Sequence, residues 1–209
     1  MNNEYYSLDR PEVFDMIINN PNSIVEFGCG FGELGKKIKS TWACNLIGVE
    51  LNPVAKNYLL NYYDSYYIDN IENFNIEKLN QSFDCFIYAD ILEHLRNPEE
   101  ILMFHLNFLK KNGQVIISIP NIRNLKIIYD LFIKGEWKYL DSGILDRTHY
   151  KFFTRKSILD MLNNVGLKVE KISSNKDKFR FPKNIVSYIP SVIIPDLQVC
   201  QWIIRARKL

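Results

Sequence analysis

With 209 residues the chain has room for one well-buried α/β domain, taken here as residues 1–209, and too little for two of ordinary size. Apolar residues make up 47% of it and charged residues 24%, a globular balance that excludes fibrous and disordered classes. The net charge of +2 comes from Lys and Arg scattered along the chain, so no nucleic-acid partner is expected.

The first residues, Met1 to Asp15, are polar and acidic and lack the charged-then-apolar pattern of a signal peptide, which predicts a cytoplasmic protein. Strands are then predicted in chain order over Ser23–Phe27, Asn45–Val49, Tyr66–Ile68, Phe83–Ala89, Gln114–Ile119, Leu167–Ser173 and Leu197–Arg205. Amphipathic stretches alternate with these runs, the pattern of βαβ units. They predict an α/β, doubly wound, Rossmann-like seven-stranded sheet whose last strand is antiparallel and paired with the sixth.

Between strands, Asn97 is read as an N-cap, with Pro98 at the first helical position and Glu99 and Glu100 at the positive end of the dipole. Leu102, Leu106 and Leu109 would share one face of that helix, and Gly113 would stop it. His105 lies on the same face and reads as a packing residue. A second helix is expected over Arg155–Asn164, capped by Thr154 and stopped by Gly166. The segments Asn121–Phe153 and Asn175–Asp196 lack a clear strand and are expected to roof a site at the strand C-termini.

The apolar run Ile185–Ile194 is broken by Pro190 and closed by Pro195, so no transmembrane segment is expected; lying on a membrane surface or covering a pocket stays open. Cys29, Cys44, Cys85 and Cys200 show no CxxC pairing, and they read as buried hydrophobes rather than disulfides or zinc ligands.

The strongest local signal is Val25-Glu26-Phe27-Gly28-Cys29-Gly30-Phe31-Gly32, where an apolar strand runs into a glycine-rich turn. Glycines there let the backbone turn sharply and approach a ligand closely. Gly48-Val49-Glu50 then ends the next strand on a carboxylate, placed to grip two ribose hydroxyls. A dinucleotide fingerprint would want glycine at position 33, where this chain has Glu33. Glu26 would add nothing to a pyrophosphate but would attract a ligand carrying an ammonium and a sulfonium, which favours S-adenosylmethionine (SAM) over NAD.

Taken together, Glu26 to Gly32, Gly48 to Glu50, Phe83-Asp84-Cys85-Phe86 through Glu93-His94-Leu95, and Leu109-Lys110-Lys111-Asn112-Gly113 resemble the successive motifs of class I SAM-dependent methyltransferases. The resemblance implies SAM as cofactor, held by Glu26, Gly28, Cys29, Gly30, Gly32, Glu50, Leu51, Asn70, Ile71 and Asp90. Asn70 takes the place of the family's usual adenine-binding Asp, and an amide also hydrogen-bonds adenine. Gly143 to His149 with Phe152 to Arg155 resembles a narrower subset of bacterial methyltransferases tied to cell-surface glycan and polysaccharide biosynthesis. That implies a hydroxyl on a sugar, glycan or similar small molecule as acceptor. A SAM-binding, non-catalytic partner in such a pathway is the rival reading.

A hydroxyl acceptor must lose its proton, which directs attention to Glu93, His94 and His149 as candidate catalytic residues. Asp90, Glu93 and His94, spaced to share one face of a helical turn, together with the distant His149 resemble the divalent-metal site of ubiquinone-type O-methyltransferases. Three alternatives stay open at this point: Glu93 as a helix cap, His94 as a metal-free base, and Asp146-Arg147 with His149 as a structural polar knot. Asn121 reads as a loop cap or an acceptor contact. Trp137, Tyr139, Tyr150 and Phe153 are candidate walls of an acceptor pocket.

Overall fold

The computed structural model describes residues 9–176 and 195–209 of the protein. Strands β1 (Ser23–Phe27), β2 (Asn45–Glu50), β3 (Ser65–Ile68), β4 (Phe83–Ala89), β5 (Leu109–Pro120), β6 (Leu167–Lys176) and β7 (Val199–Lys208) form one sheet in the order β3-β2-β1-β4-β5-β7-β6. β1 pairs in parallel with β2 and with β4, and β4 in parallel with β5. β7 inserts between β5 and β6, antiparallel to both. The strand order reverses between β1 and β4, so their C-terminal ends open a crevice of the kind in which such sheets bind ligands.

Side chains alternate across the sheet and feed two cores. On one face Val25, Phe27, Phe86, Tyr88, Val115 and Ile117 pack against Leu102 and Leu106 of α4 (Pro98–Leu106) and Ile158 and Leu162 of α6 (Arg155–Asn164). On the other, Ile24, Leu46, Cys85, Ile87 and Ile116 meet Val13 of α1 (Pro11–Phe14), Leu34 and Ile38 of α2 (Glu33–Thr41) and Leu59 of α3 (Lys56–Leu59). All four cysteines are free, three of them buried in this second core, as the sequence predicts.

The seven predicted strands are present, with bounds that move by a few residues. The largest change is at β5, which begins at Leu109, so Leu109 and Gly113 belong to a strand and not to the end of α4. Asn107 stops that helix first, donating its Nδ2 to the carbonyls of Met103 and Phe104. Asn97 sits at the N-cap position, but its amide donates to the Glu100 carboxylate at 3.2 Å and caps no backbone group. Thr154 caps α6 as expected and forms a reciprocal box with Ser157.

Within 121–153 the structure contains a helix that the sequence reading missed, α5 (Leu125–Lys134), capped by Asn124 and ended by Gly135 at φ 67°. The signal was present, since an Asn cap precedes an amphipathic run that closes on glycine. Of the second roofing segment, 175–196, residues 177–194 and with them the apolar run Ile185–Ile194 lie outside the described residues. Residues Pro195–Gln198 form a 3-10 turn leading into β7. Among the described residues no helix is long and apolar enough to cross a membrane.

Candidate active site

The crevice is built first by the loop between β1 and α2. Gly28 has φ 72°, and a Cβ there would sit 2.0 Å from Ile91 Cδ1, so both conformation and space demand glycine. The Gly28 N–H donates to the Val49 carbonyl at 2.7 Å, tying the loop to the end of β2. Gly32 caps α2 in the left-handed region at φ 87°. Buried Cys29 packs beneath the loop in the second core.

Glu50 ends β2 with its carboxylate turned into the loop: Oε2 accepts the Gly30 N–H at 2.9 Å and Oε1 the Asn52 N–H at 2.8 Å. The Asp69 N–H donates to the Glu50 carbonyl, which brings Asn70 and Ile71 beside Glu50 and Leu51. Leu51 is 66% exposed, while Ile71 packs against the first core. The Asn70 Oδ1 accepts the Glu72 N–H at 3.0 Å, closing an Asx turn that fixes this loop.

Glu26 is buried in β1 and accepts the Tyr63 hydroxyl at 2.6 Å. Burial pushes its carboxyl up to about 8; the Tyr63 hydrogen bond and the charge of Arg10 oppose the rise. Arg10, just before α1, forms an ion pair with Asp90. Sequence reasoning missed both partners, for neither a lone arginine before a proline nor a tyrosine in a polar run carries a local signal.

Asp90 follows β4 at φ 56°, and its carboxylate is held by Arg10, by Ser118 Oγ at 3.1 Å and by Gln201 Nε2. The next residues form a 3-10 turn, Leu92–His94. The Asp90 carboxylate is taken by its three partners, and it is not in the group of candidate ligands that converges. Glu93, His94 and His149 do converge: one ligand atom from each lies within 4.8 Å of the other two.

Glu93 is 1% exposed, and neither carboxylate oxygen has a hydrogen-bond partner. Its backbone carbonyl accepts the N–H groups of Tyr150 at 2.8 Å and Lys151 at 3.0 Å, which draws the 121–153 segment onto the end of β4. His149 Nε2 stands 4.0 Å from Glu93 Oε1, and the His94 and His149 rings meet edge to face at 4.6 Å.

Burial, reinforced by Asp90, holds the Glu93 carboxyl well above the usual range, and burial, reinforced by His94, lowers the His149 imidazole. Both shifts favour the neutral forms and so work against an ion pair between the two groups. Asp146, Arg147 and His149 do not join in one polar knot: the Asp146 carboxylate accepts from Thr148, Arg147 pairs with Asp141 at 2.6 Å, and His149 Nδ1 faces the Ile144 carbonyl oxygen at 3.1 Å.

Other predicted positions separate. Asn121 is fully buried and donates Nδ2 to the carbonyls of Asp196 and Val199, the loop-capping role, with no side-chain surface left for an acceptor. Phe153 is buried in the first core and walls no pocket. Trp137, Tyr139 and Tyr150 keep exposed ring surface, and the Arg96 guanidinium lies 4.9 Å over the Tyr150 ring at the rim of the cluster. His105 is the packing residue expected, stacked 4.5 Å from Phe27 and bonded through Nδ1 to the Tyr88 hydroxyl at 2.8 Å.

Known proteins match more than half of the chain. Residues 4–172 match the methyltransferase domain family. The ubiquinone biosynthesis O-methyltransferase of Shewanella pealeana is 25% identical over 189 residues, covering 83% of this chain and 77% of that protein. The mitochondrial ubiquinone biosynthesis O-methyltransferase of Dictyostelium discoideum is 27% identical over 143 residues, 56% of this chain but only 43% of its own length. A Listeria monocytogenes structure described as a SAM-dependent methyltransferase superposes with a TM-score of 0.65 at 16% identity, covering 95% of this chain and 97% of that one. The N-methyltransferase NodS of Bradyrhizobium japonicum, solved with S-adenosyl-L-homocysteine, superposes at 0.63 with 12% identity, covering 98% and 86%. The seven-stranded sheet of this chain is the fold of the SAM-dependent methyltransferase structures it superposes on, and the chain belongs to the methyltransferase domain family.

Proposed function

We propose that this protein methylates a hydroxyl oxygen of a sugar, glycan or similar small molecule, with SAM as donor. The observation that carries the reading is the buried, unpartnered Glu93 carboxylate facing His94 and His149 at the mouth of the SAM crevice. A buried polar group without a partner costs about 1–3 kcal/mol, and here it also faces two imidazoles, which supports a place kept for a ligand. The relatives named as ubiquinone biosynthesis O-methyltransferases support an oxygen acceptor.

In this reading Glu50 releases the loop amides to accept the ribose hydroxyls of SAM. Gly28, Gly30 and Gly32 let the backbone approach it, with Cys29 filling the floor. Leu51 and Ile71 flank the adenine, and the Asn70 turn presents an amide to its edge. Glu26 faces the ammonium end. Arg10, paired with Asp90 and close enough for its charge to act on Glu26, offers a guanidinium to the carboxylate end of the same ligand.

The sulfonium supplies an activated methyl group, so positioning and exclusion of water provide most of the rate. The chain's remaining task is the acceptor proton, which an imidazole of the His94–His149 pair takes as general base. One carboxylate and two imidazoles also fit a divalent cation; Glu93, His94 and His149 would hold it, and it would lower the pKa of an acceptor hydroxyl. Asp90 is committed to Arg10, Ser118 and Gln201 and is not among these donors.

The test is a transfer assay with methyl-labelled SAM over a panel of nucleotide sugars, glycans and phenols. Labelled product on a hydroxyl, lost in Glu93→Gln, is expected. SAM binding without transfer to any member of the panel would instead mark a non-catalytic SAM-binding subunit.

A further inference from the structure

We infer that Thr148 and Asp146 are positioning residues that decide which nitrogen of His94 carries its proton. The inference rests on reading Glu93, His94 and His149 as the reacting cluster.

A threonine hydroxyl has one proton to give and lone pairs to accept with. Thr148 Oγ1 lies 2.6 Å from Asp146 Oδ1, which also accepts the Thr148 backbone N–H at 2.8 Å. An ionised carboxylate oxygen only accepts, so the hydroxyl proton is committed to Asp146 and Oγ1 is left as an acceptor. His94 Nδ1 stands 3.0 Å from this oxygen and 3.3 Å from the Thr148 carbonyl oxygen, which never donates. Two acceptors on one ring nitrogen require an N–H there. The neutral His94 ring therefore holds its proton on Nδ1 and its lone pair on Nε2.

His149 is set the same way by a different group. Its Nδ1 lies 3.1 Å from the Ile144 carbonyl oxygen, so its lone pair is also on Nε2, the atom 4.0 Å from Glu93 Oε1. The run Ile144 to His149 thus delivers one imidazole and orients both. An unrestrained imidazole samples both tautomers, and in the wrong one Nε2 bears a hydrogen and can neither take a proton nor coordinate a cation. Partners of this kind on reacting or ligating histidines are worth about 10- to 100-fold in affinity or activity.

The experiment is long-range proton–nitrogen NMR of the full chain labelled on histidine nitrogen, at about pH 8, above the ordinary histidine pKa of about 6.5. Only three histidines are present, so His94→Gln and His149→Gln assign the signals. Wild type is expected to show His94 Nδ1 in the N–H range and Nε2 in the lone-pair range. Thr148→Val, which removes the hydroxyl, and Asp146→Ala, which frees its proton to donate, should each move the His94 Nε2 signal towards the N–H range. Thr148→Ser should restore the wild-type spectrum. A wild-type His94 protonated on Nε2 would overturn the assignment, as would Thr148→Val and Asp146→Ala spectra identical to wild type. The readout needs neither SAM nor acceptor, so a failed transfer assay and a failed tautomer assignment are separate results.

Discussion

His149 Nε2 and Glu93 Oε1, from two loops far apart in the sequence, face each other at 4.0 Å, and neither Glu93 carboxylate oxygen has a hydrogen-bond partner. Glu93→Gln keeps the shape but changes the chemistry. It is expected to lower methyl transfer by about 10²- to 10⁴-fold, and His149→Ala to do the same, with the SAM dissociation constant nearly unchanged. If EDTA also abolishes turnover and added manganese, zinc or magnesium restores it, the cluster works with a cation. Full activity in Glu93→Gln, His94→Gln and His149→Ala alike would remove the cluster from the chemistry.

Glu50 holds the loop through the Gly30 and Asn52 amides, and the same oxygens are proposed to take the SAM ribose. Hydrogen bonds to a charged group contribute about 1.5–3 kcal/mol each, so Glu50→Ala should weaken SAM by roughly ten- to a hundred-fold. Titration calorimetry on the folded variant measures this directly. Unchanged affinity would overturn the assignment of the cofactor site.

Glu26 carries a pH signature. Burial raises its carboxyl from 4.5 to about 8, so across that interval the folded chain keeps a proton that the unfolded chain has lost. The resulting stabilisation is complete below pH 4.5 and disappears as pH rises towards 8. The Tm of the unliganded protein should fall through this window, and Glu26→Gln should flatten the slope. Glu93 acts in the same direction, so part of the slope persists in the variant. An identical slope in Glu26→Gln would contradict the buried, protonated state.

The Thr154–Ser157 capping box anchors α6, which covers the first core through Ile158, Met161 and Leu162. Thr154→Ala should cost about 1 kcal/mol, or a Tm drop of about 2–4 °C for a chain of this length. Because the cap is remote from Glu50, SAM affinity measured well below that Tm should not change.

The strands were legible because each is a short apolar run bounded by turn residues, and the glycine loop because positive φ at Gly28 and Gly32 admits few alternatives. Long-range pairing was less accessible. Spacing alone put Asp90 on one face with Glu93 and His94, but a left-handed Asp90 breaks the periodicity on which that argument depends. The ties of Asp90 to Arg10 and Gln201 join residues from both ends of the chain, and no local pattern encodes them. Leu109 was misplaced for a different reason: its spacing from Leu102 and Leu106 is helical, but Asn107 supplies a stop that outranks it. His149 was found because histidine is rare here and the neighbouring motif is distinctive.

The insertion of β7 between β5 and β6 has a consequence for how the molecule assembles. β6 has no pairing with β5 except through β7, so β6 stays unjoined to the sheet until the segment Val199–Lys208 arrives. Until then β5 presents Val115, Ile117 and Ile119 along an open edge, a template for pairing with another chain. Contacts of such high sequence separation form slowly. A nascent or truncated chain lacking this one strand is therefore exposed to aggregation, although β1 to β5 have already been made.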